Sequence, residues 1–212
     1  MSDQHPPGAA DRHDRRVTAS GTEQAEAVRA RVERAALDLF TLRGFDAVTA
    51  DEVADAAGIS RRTFFRYHPT KADAVWGDFA RHVARLDRLL READGSAPVL
   101  ATICSAYVDV NDYGPEDLPV LRQRMRLILT EPALQAHSQL RYAEIDRVVA
   151  EYVAGRTGGA PTDLLPRLAG ASTRAAAMTA FAVWLGDDRA TLHGHLHRAF
   201  DELTQGFPSL SR

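Results

Sequence analysis

Four cations in the first third of the chain form the cluster whose chemistry is easiest to define. They lie between two aspartates with no acidic residue among them, and they are Arg61, Arg62, Arg66 and Lys71. Residues 23–93 contain equal numbers of basic and acidic residues, so the cluster is a local positive patch on a neutral segment. Such a patch suits the neutralisation of nucleic-acid phosphates. The alternative is a basic helix face that contacts only solvent.

Two short helices joined at a glycine are predicted to position these cations. Thr49 and Glu52 have the spacing of a capping box, which begins a helix. Gly58 is expected to end that helix, and Ser60 to cap a second one over residues 61–67. The cations of the second helix are therefore expected to follow a short, sharply defined turn.

The connection between these helices has the composition of a helix-turn-helix motif. Such a motif needs a small residue in its first helix, a glycine at the turn and a buried apolar residue after it. Ala54, Gly58 and Ile59 supply these residues at the required separations. The second helix of the motif presents polar groups to base edges and phosphates. The turn and the two caps together favour DNA binding over a merely solvated basic helix.

The segment from about residue 30 to residue 75 resembles the TetR family of transcriptional regulators. The resemblance is carried, in order and spacing, by LF at 39–40, RGF at 43–45, Thr49, VA at 53–54, AGIS at 57–60, TFFRY at 63–67 and PTK at 69–71. It implies a three-helix DNA-binding domain followed by a helical domain that binds a ligand. It also implies a homodimer formed through the last two helices.

By this resemblance eight residues would contact double-stranded operator DNA. Thr49 would bind a phosphate at the start of the helix that it caps, and Tyr67 and Lys71 would hold the DNA backbone. The recognition helix would face the major groove with Ser60, Arg61, Arg62, Phe65 and Arg66.

Three positions depart from the family pattern. The family often has Gly at the position of Arg62, Tyr at that of Phe65 and Phe at that of His68. Phe65 has no hydroxyl to donate, so we expect it to contact a thymine methyl group. Arg62 adds either a contact to guanine or one more contact to phosphate.

The rest of the chain is predicted to be helical, so the expected fold class is all-α. One helix should run from Thr70, capped with Asp73, to about Ala93. After a linker at 94–98, further helices are expected near 98–112, 116–130, 132–155, 163–186 and 189–205. The expected domains are a disordered tail (1–22), the helix-turn-helix domain (23–70), a ligand-binding and dimerisation domain (71–205) and a C-terminal tail (206–212).

The C-terminal domain is expected to hold a small-molecule effector. Arg122 and Arg126 lie four residues apart on one helical face and could bind an anion such as a CoA phosphate, or could simply be solvated. Aromatic and sulfur-containing side chains could line an apolar cavity, or could be core, and these are Tyr107, His137, Tyr142, Met178, Phe181 and Trp184. The stretches RRTFFRYHPTKADAVWGDF and LRQRMRLILTEPALQAHSQLRYAE are similar to the mycofactocin-system regulators, which implies an acyl-CoA-type effector.

The helices near 163–186 and 189–205 are the predicted dimer surface. Seven alanines in the first helix offer close packing, and bulk is expected from Phe181, Trp184, Leu185, Leu192, Leu196, Phe200 and Leu203. A two-fold dimer matches a palindromic operator.

Other function classes have weaker support in the sequence. His193 and His197 have a spacing that can bind a metal, but no Cys or carboxylate lies at close spacing except Asp201, one turn further on. We therefore expect neither a metal nor another cofactor. An alternative is a small helical metal-binding protein or enzyme with a non-functional helix-turn-helix, although no catalytic motif is present. One cysteine, a net charge of −3 and no apolar run of about 20 residues favour a cytoplasmic protein that does not enter membranes.

Overall fold

The computed structural model describes residues 10–187 and 189–210, which form two compact units divided after Gly77. All regular structure within those residues is helical, in nine α-helices and two 3-10 helices. The all-α fold class is therefore confirmed. In this part of the chain no helix is both long and apolar enough to cross a membrane.

The first unit contains α1 (Ala10–Arg43), α2 (Ala50–Ala56), α3 (Arg61–Tyr67) and a 3-10 helix (Ala72–Val75). We expected helical structure only from Glu23, with a disordered tail before it. The described helix begins within that tail, where no apolar repeat indicates a helix. Residues 1–9 of the tail lie outside the described residues.

The core of the first unit is built on the apolar stripe of α1. Its side chains at Val32, Ala36, Leu37 and Phe40 are buried. They share the core with residues from every later element of the unit, including Phe45, Val48, Val53, Ala54, Phe64, Val75 and Trp76. The short helices α2 and α3 are thus held in place by burial of their inner faces, which leaves their outer faces available for contacts.

The single helix expected from Thr70 to Ala93 is wrong, because the chain breaks it at Gly77. Thr70 and Asp73 do bond to each other, at 2.7 Å from Thr70 N to Asp73 Oδ2, but only the short 3-10 helix follows Thr70. Gly77 has a φ of 57°, a left-handed conformation that glycine adopts readily. Asp78 then begins α4 by accepting a bond from the Arg81 amide at 3.1 Å. Apolar residues continue at helical spacing on both sides, which conceals the break in the sequence.

The second unit consists of six helices and a final 3-10 turn. They are α4 (Phe79–Glu92), α5 (Val99–Val110), α6 (Leu118–Thr130), α7 (Pro132–Thr157), α8 (Leu164–Leu185), α9 (Leu192–Thr204) and the turn at Pro208–Leu210. The five helices expected after the linker are confirmed, with ends that differ by a few residues. The most extensive packing joins α8 to α7 and to α9.

The close contact between α7 and α8 depends on Gly170. A Cβ atom at this position would lie 2.8 Å from the backbone oxygen of Asp146 on α7. That separation is too short for a carbon, so any larger residue would push the two helices apart. Beside this contact, Arg174 of α8 forms an ion pair with Asp146 at 2.8 Å.

Candidate DNA-binding and effector-binding sites

The turn between α2 and α3 has the geometry that the sequence predicts. Gly58 has a φ of 66°, in the left-handed region. Its amide donates to Asp55 O at 3.0 Å, and the Ile59 amide donates to Ala54 O at 3.0 Å. Ser60 then caps α3 by accepting a bond from the Thr63 amide at 3.1 Å. The turn is therefore closed by backbone bonds at the end of α2 and by a side chain at the start of α3.

The capping box at the start of α2 is confirmed. The Thr49 amide donates to Glu52 Oε2 at 2.8 Å, and the Glu52 amide donates to Thr49 Oγ1 at 3.2 Å. The bond from the Thr49 backbone, followed by the bond from Arg43, lowers the pKa of Glu52 from 4.5 to about 2. The Thr49 hydroxyl also donates to Glu52 Oε2 at 2.9 Å. Its predicted bond to a DNA phosphate therefore requires that hydroxyl to turn away from Glu52.

Helix α3 buries one side and exposes the side predicted to meet DNA. Phe64 is fully buried in the core of the unit. The outward-facing side chains of Arg61, Arg62, Phe65 and Arg66 are exposed. Five of the eight predicted DNA contacts, with Ser60 included, thus share one accessible surface at and after the turn.

Two of the arginines on α3 are engaged within the protein. Arg61 reaches back to α2, where its Nη1 donates to Asp51 Oδ1 at 2.6 Å, and its guanidinium lies 5.2 Å from the centre of the Phe65 ring. Arg66 donates to the Tyr67 hydroxyl at 3.0 Å, and its guanidinium lies over the ring of Tyr67. Both arginines thus have partners within the protein as well as an exposed surface.

Lys71 makes contacts that differ from a simple phosphate contact. Its ammonium donates to Phe45 O at 2.6 Å and to Val48 O at 2.7 Å, and it lies 4.1 Å from the centre of the Phe45 ring. The side chain is half-buried. Since an ammonium has three N–H donors, at most one remains for a phosphate. Lys71 therefore holds the loop between α1 and α2.

His68, the third departure from the family pattern, is a core residue. It is buried, with its ring centre 5.5 Å from that of Phe64. Burial lowers the pKa of the imidazole, because the charged form loses its water. A neutral ring of this size packs much as the family's phenylalanine would.

In the second unit, Arg122 is occupied at the C-terminal end of α8. Its guanidinium donates to Trp184 O at 3.1 Å and to Asp187 O at 3.3 Å, and it lies 4.1 Å from the centre of the Trp184 ring. A cation at this end of a helix binds carbonyls that have no partner in the helix itself. Arg122 therefore fastens α6 to α8, which is a different role from the predicted clamp for an effector phosphate. Arg126 is exposed, as that role requires.

Arg124 lies in the same arginine cluster of α6 as Arg122 and Arg126, but it was not among the predicted effector contacts. On the helix its position lies between those of Leu127 and Ile128, which are both buried. Burial lowers the pKa of its guanidinium to about 10. The sequence contained the signal, since the apolar residues three and four positions later mark the inner side of α6.

The side chains predicted to line an effector cavity take part in several separate contacts. Phe181 and Trp184 are buried, with ring centres 6.3 Å apart. Tyr107 is buried against Phe200 at 5.6 Å, and burial raises the pKa of its hydroxyl. Tyr142 lies under the guanidinium of Arg174 at 5.2 Å. His137 and Met178 are half-buried.

A cleft with a volume of about 430 Å³ lies elsewhere in the second unit, between α4 and α7. None of the eight predicted effector residues lines it; its walls include Asp87, Arg91, Glu151, Tyr152 and Arg156. Arg91 is paired with Asp87 at 2.9 Å, and Arg156 donates to the Tyr152 hydroxyl at 2.7 Å. Glu151 pairs with Arg147, which lies outside this lining, at 2.7 Å, and Arg156 also donates to Gly95 O at 2.7 Å.

Comparison with known proteins places both units in one family. Residues 34–74 match the family described as bacterial regulatory proteins, tetR family, and residues 97–208 match the MftR C-terminal domain. The chain belongs to the TetR family of transcriptional regulators, as the resemblance implied. Both the family and its relative of 37% identity indicate a regulator of transcription.

Within that family the chain is similar to the mycofactocin biosynthesis transcriptional regulator MftR of Mycobacterium tuberculosis. The two are 37% identical over 177 residues, which cover 84% of this chain and 89% of the relative. Solved structures with the same fold include FadR of Thermus thermophilus in complex with lauroyl-CoA, at 22% identity and a TM-score of 0.55, covering 84% of this chain and 94% of that one. FadR of Bacillus subtilis in complex with stearoyl-CoA has 15% identity and a TM-score of 0.60. The match covers 84% of this chain and 98% of that one.

Proposed function

We propose that the chain is a homodimeric repressor whose two α3 helices bind successive major grooves of a two-fold symmetric operator. An acyl-CoA-like effector, bound in the second unit, would release the DNA. The observation that carries the proposal is the outer face of α3, where Arg62, Phe65 and Arg66 are exposed on a helix held by its cap and its buried Phe64.

The DNA-binding part of the proposal assigns base contacts to Arg62 and Arg66. Each good base contact contributes about 1–3 kcal/mol of discrimination against a wrong base. We expect Arg62→Ala and Arg66→Ala to lose specific affinity without unfolding, because both side chains are exposed.

The test is a set of binding isotherms on the native operator and on random DNA, with the exposed arginine Arg88 of α4 as a matched control. Arg88→Ala should bind as the wild type does. Operator affinity at the wild-type level in both α3 variants would remove α3 from sequence recognition.

The dimer part of the proposal rests on one face of α8. The apolar side chains of Leu164, Leu165, Leu168 and Val183 lie on this face, and each is more than half exposed. Ala175 and Ala182 are also exposed on it. Covering such a face with the same face of a second copy gives a two-fold interface.

The bulky side chains that we assigned to the dimer surface from the sequence serve a different purpose. Phe181, Trp184, Leu192, Leu196 and Phe200 are all buried within the subunit itself. The exposed face of α8 is made of its leucines, its alanines and Val183. Helical periodicity identifies the apolar face of a helix. It does not show whether that face packs in the core of its own subunit or against a second copy.

Leu168→Glu is the corresponding test, because the wild-type side chain is exposed and a charge there need not disturb the subunit core. Two glutamates brought together across a two-fold interface would lose water and repel each other. We expect a dimer for the wild type and a folded monomer for Leu168→Glu in sedimentation velocity runs. Leu140→Glu, which changes an exposed leucine on α7, is the matched control and should stay dimeric. A monomeric wild type would refute this part.

The effector part of the proposal draws on the ligands of the two FadR structures and on the similarity to MftR. An acyl chain would occupy the region of Met178, Phe181 and Trp184, and Arg126 would meet a CoA phosphate. Release of DNA follows only if the ligand prefers the arrangement of the protein that binds DNA less well.

A titration of operator-bound protein with acyl-CoAs of increasing length tests this part. Each buried CH₂ contributes about 0.8 kcal/mol, so two further CH₂ groups should tighten binding by about 15-fold until the cavity is full. Arg126→Ala should weaken every member of the series by a similar factor, whereas Arg147→Ala, an exposed arginine on α7, should not. Release that is indifferent to chain length would overturn the acyl-CoA assignment and leave the DNA-binding part standing.

A further inference from the structure

Two of the three histidines near the start of α9 converge on one point. The Nε2 atoms of His193 and His197 are 2.9 Å apart, and both side chains are exposed. His195, which lies between them in the sequence, faces the other way and is buried, with its Nε2 atom 3.3 Å from Asp187 Oδ2. The spacing of four residues on a regular helix is the reason that the outer pair meets.

The distance between the two ring nitrogens suits two bonds to one metal ion. Bonds of about 2.0–2.1 Å at a tetrahedral angle separate two imidazole nitrogens by about 3.3 Å. The rings of His193 and His197 need to part by only a few tenths of an ångström to reach that separation. Because the side chains are exposed, rotation of the rings meets little resistance. The hydrogen bond that now joins the nitrogens already directs one lone pair and one proton into the space between them.

We propose that His193 and His197 form a bidentate site for a divalent transition metal on the outer face of α9. Imidazole nitrogen binds Cu²⁺, Ni²⁺ and Zn²⁺, whereas Mg²⁺ requires oxygen ligands. Among the described residues no cluster of three or more His, Cys, Asp or Glu could hold a metal. The remaining coordination positions are therefore open to water or to a ligand from another molecule.

The order of metal affinities is the first measurement. Titration calorimetry on tag-free full-length protein should give the tightest binding for Cu²⁺, weaker binding for Ni²⁺ and Zn²⁺, and no binding of Mg²⁺. His197→Gln should weaken Cu²⁺ binding at least tenfold. Loss of a residue that only hydrogen-bonds to a metal ligand already lowers metal affinity by about 10- to 100-fold. Circular dichroism of the variant should match the wild type, because the side chain is exposed.

A displaced histidine separates this geometry from a general effect of surface histidines. The double variant His197→Gln, Arg198→His keeps the number of histidines but places the second ring on another side of α9. We expect it to bind Cu²⁺ as weakly as His197→Gln does. Electron paramagnetic resonance of the Cu²⁺ complex should show two equivalent nitrogens in the wild type and one in both variants. Wild-type affinity in either variant would overturn the proposal.

Discussion

Replacement of Lys71 by methionine separates two roles that this residue could have in the DNA-binding unit. The change keeps the length of the side chain and removes its ammonium group. That group donates to Phe45 O at 2.6 Å and to Val48 O at 2.7 Å. A hydrogen bond from a charged group contributes about 1.5–3 kcal/mol, and the lower value suits a half-buried site. Loss of both bonds should therefore destabilise the DNA-binding unit by about 3 kcal/mol.

Hydrogen exchange measured by mass spectrometry on the full chain can locate this loss. A change of about 3 kcal/mol raises the opening equilibrium by about two orders of magnitude. We expect faster exchange in peptides that cover the loop between α1 and α2 and the start of α2. Peptides from α7 and α8 belong to the other unit and serve as an internal control. Arg62→Ala, which changes an exposed side chain, should leave exchange unaltered in both units.

The competing role is the phosphate contact that the family resemblance implies. A residue with that role alone would affect DNA binding and leave the stability of the unit unchanged. Lys71→Met would then weaken binding to any DNA sequence, with a salt dependence shallower by about 1.8 per dimer. Unchanged exchange around Phe45 and Val48, together with that shallower salt dependence, would refute our reasoning about Lys71.

Two further predictions concern the stability of each unit. In the first unit, the pKa of Glu52 falls from 4.5 to about 2 on folding. The stabilisation of the folded unit by the ionised carboxylate is therefore complete above pH 4.5 and is lost as the pH falls toward 2. Urea midpoints measured from pH 5 to pH 3 should fall less for Glu52→Gln than for the wild type. In the second unit, Gly170→Ala places a Cβ atom 2.8 Å from Asp146 O and should cost about 1–3 kcal/mol, seen as a lower urea midpoint. Ala171→Gly, one residue further along α8, is the control, because it measures the effect of exchanging alanine and glycine within this helix. An unchanged midpoint in Gly170→Ala would show that the two helices can move apart freely.

The helix-turn-helix could be predicted from the sequence because each of its determinants is local. The bonds of the Thr49 capping box and of the Ser60 cap join residues three positions apart. The left-handed turn needs only Gly58 itself. Such features depend on neighbouring side chains and backbone, so a single sequence contains all of the information. The same holds for most ends of the helices after the linker.

The roles of the basic side chains could not be predicted in this way. An arginine or lysine can extend over several ångströms, and its partners are set by the packing of distant elements. Lys71 meets carbonyls 23 and 26 residues away, and Arg122 meets carbonyls 62 and 65 residues away. The break at Gly77 was missed for another reason, because apolar spacing continued across it. Pattern analysis therefore predicted which residues α3 exposes, but it could not predict the contacts within the protein that engage Arg61 and Lys71.

The salt dependence of DNA binding follows from which cations the structure has already engaged. Each neutralised phosphate adds about 0.9 to the slope of log K against log salt on B-DNA. If all four cations of the cluster met phosphate, a dimer would neutralise eight phosphates, and the slope would be about −7. Arg61 is paired with Asp51, and Lys71 with two carbonyls. On random DNA, which lacks the bases that Arg62 and Arg66 would contact in the operator, we expect only these two arginines to neutralise phosphates fully. Four phosphates per dimer correspond to a slope of about −3.6 on random DNA. A measured slope near −7 would mean that Arg61 leaves Asp51 and Lys71 turns to the backbone when DNA binds. Asp51→Asn would then leave the slope unchanged, whereas under our interpretation it frees Arg61 and steepens the slope by up to about 1.8 per dimer.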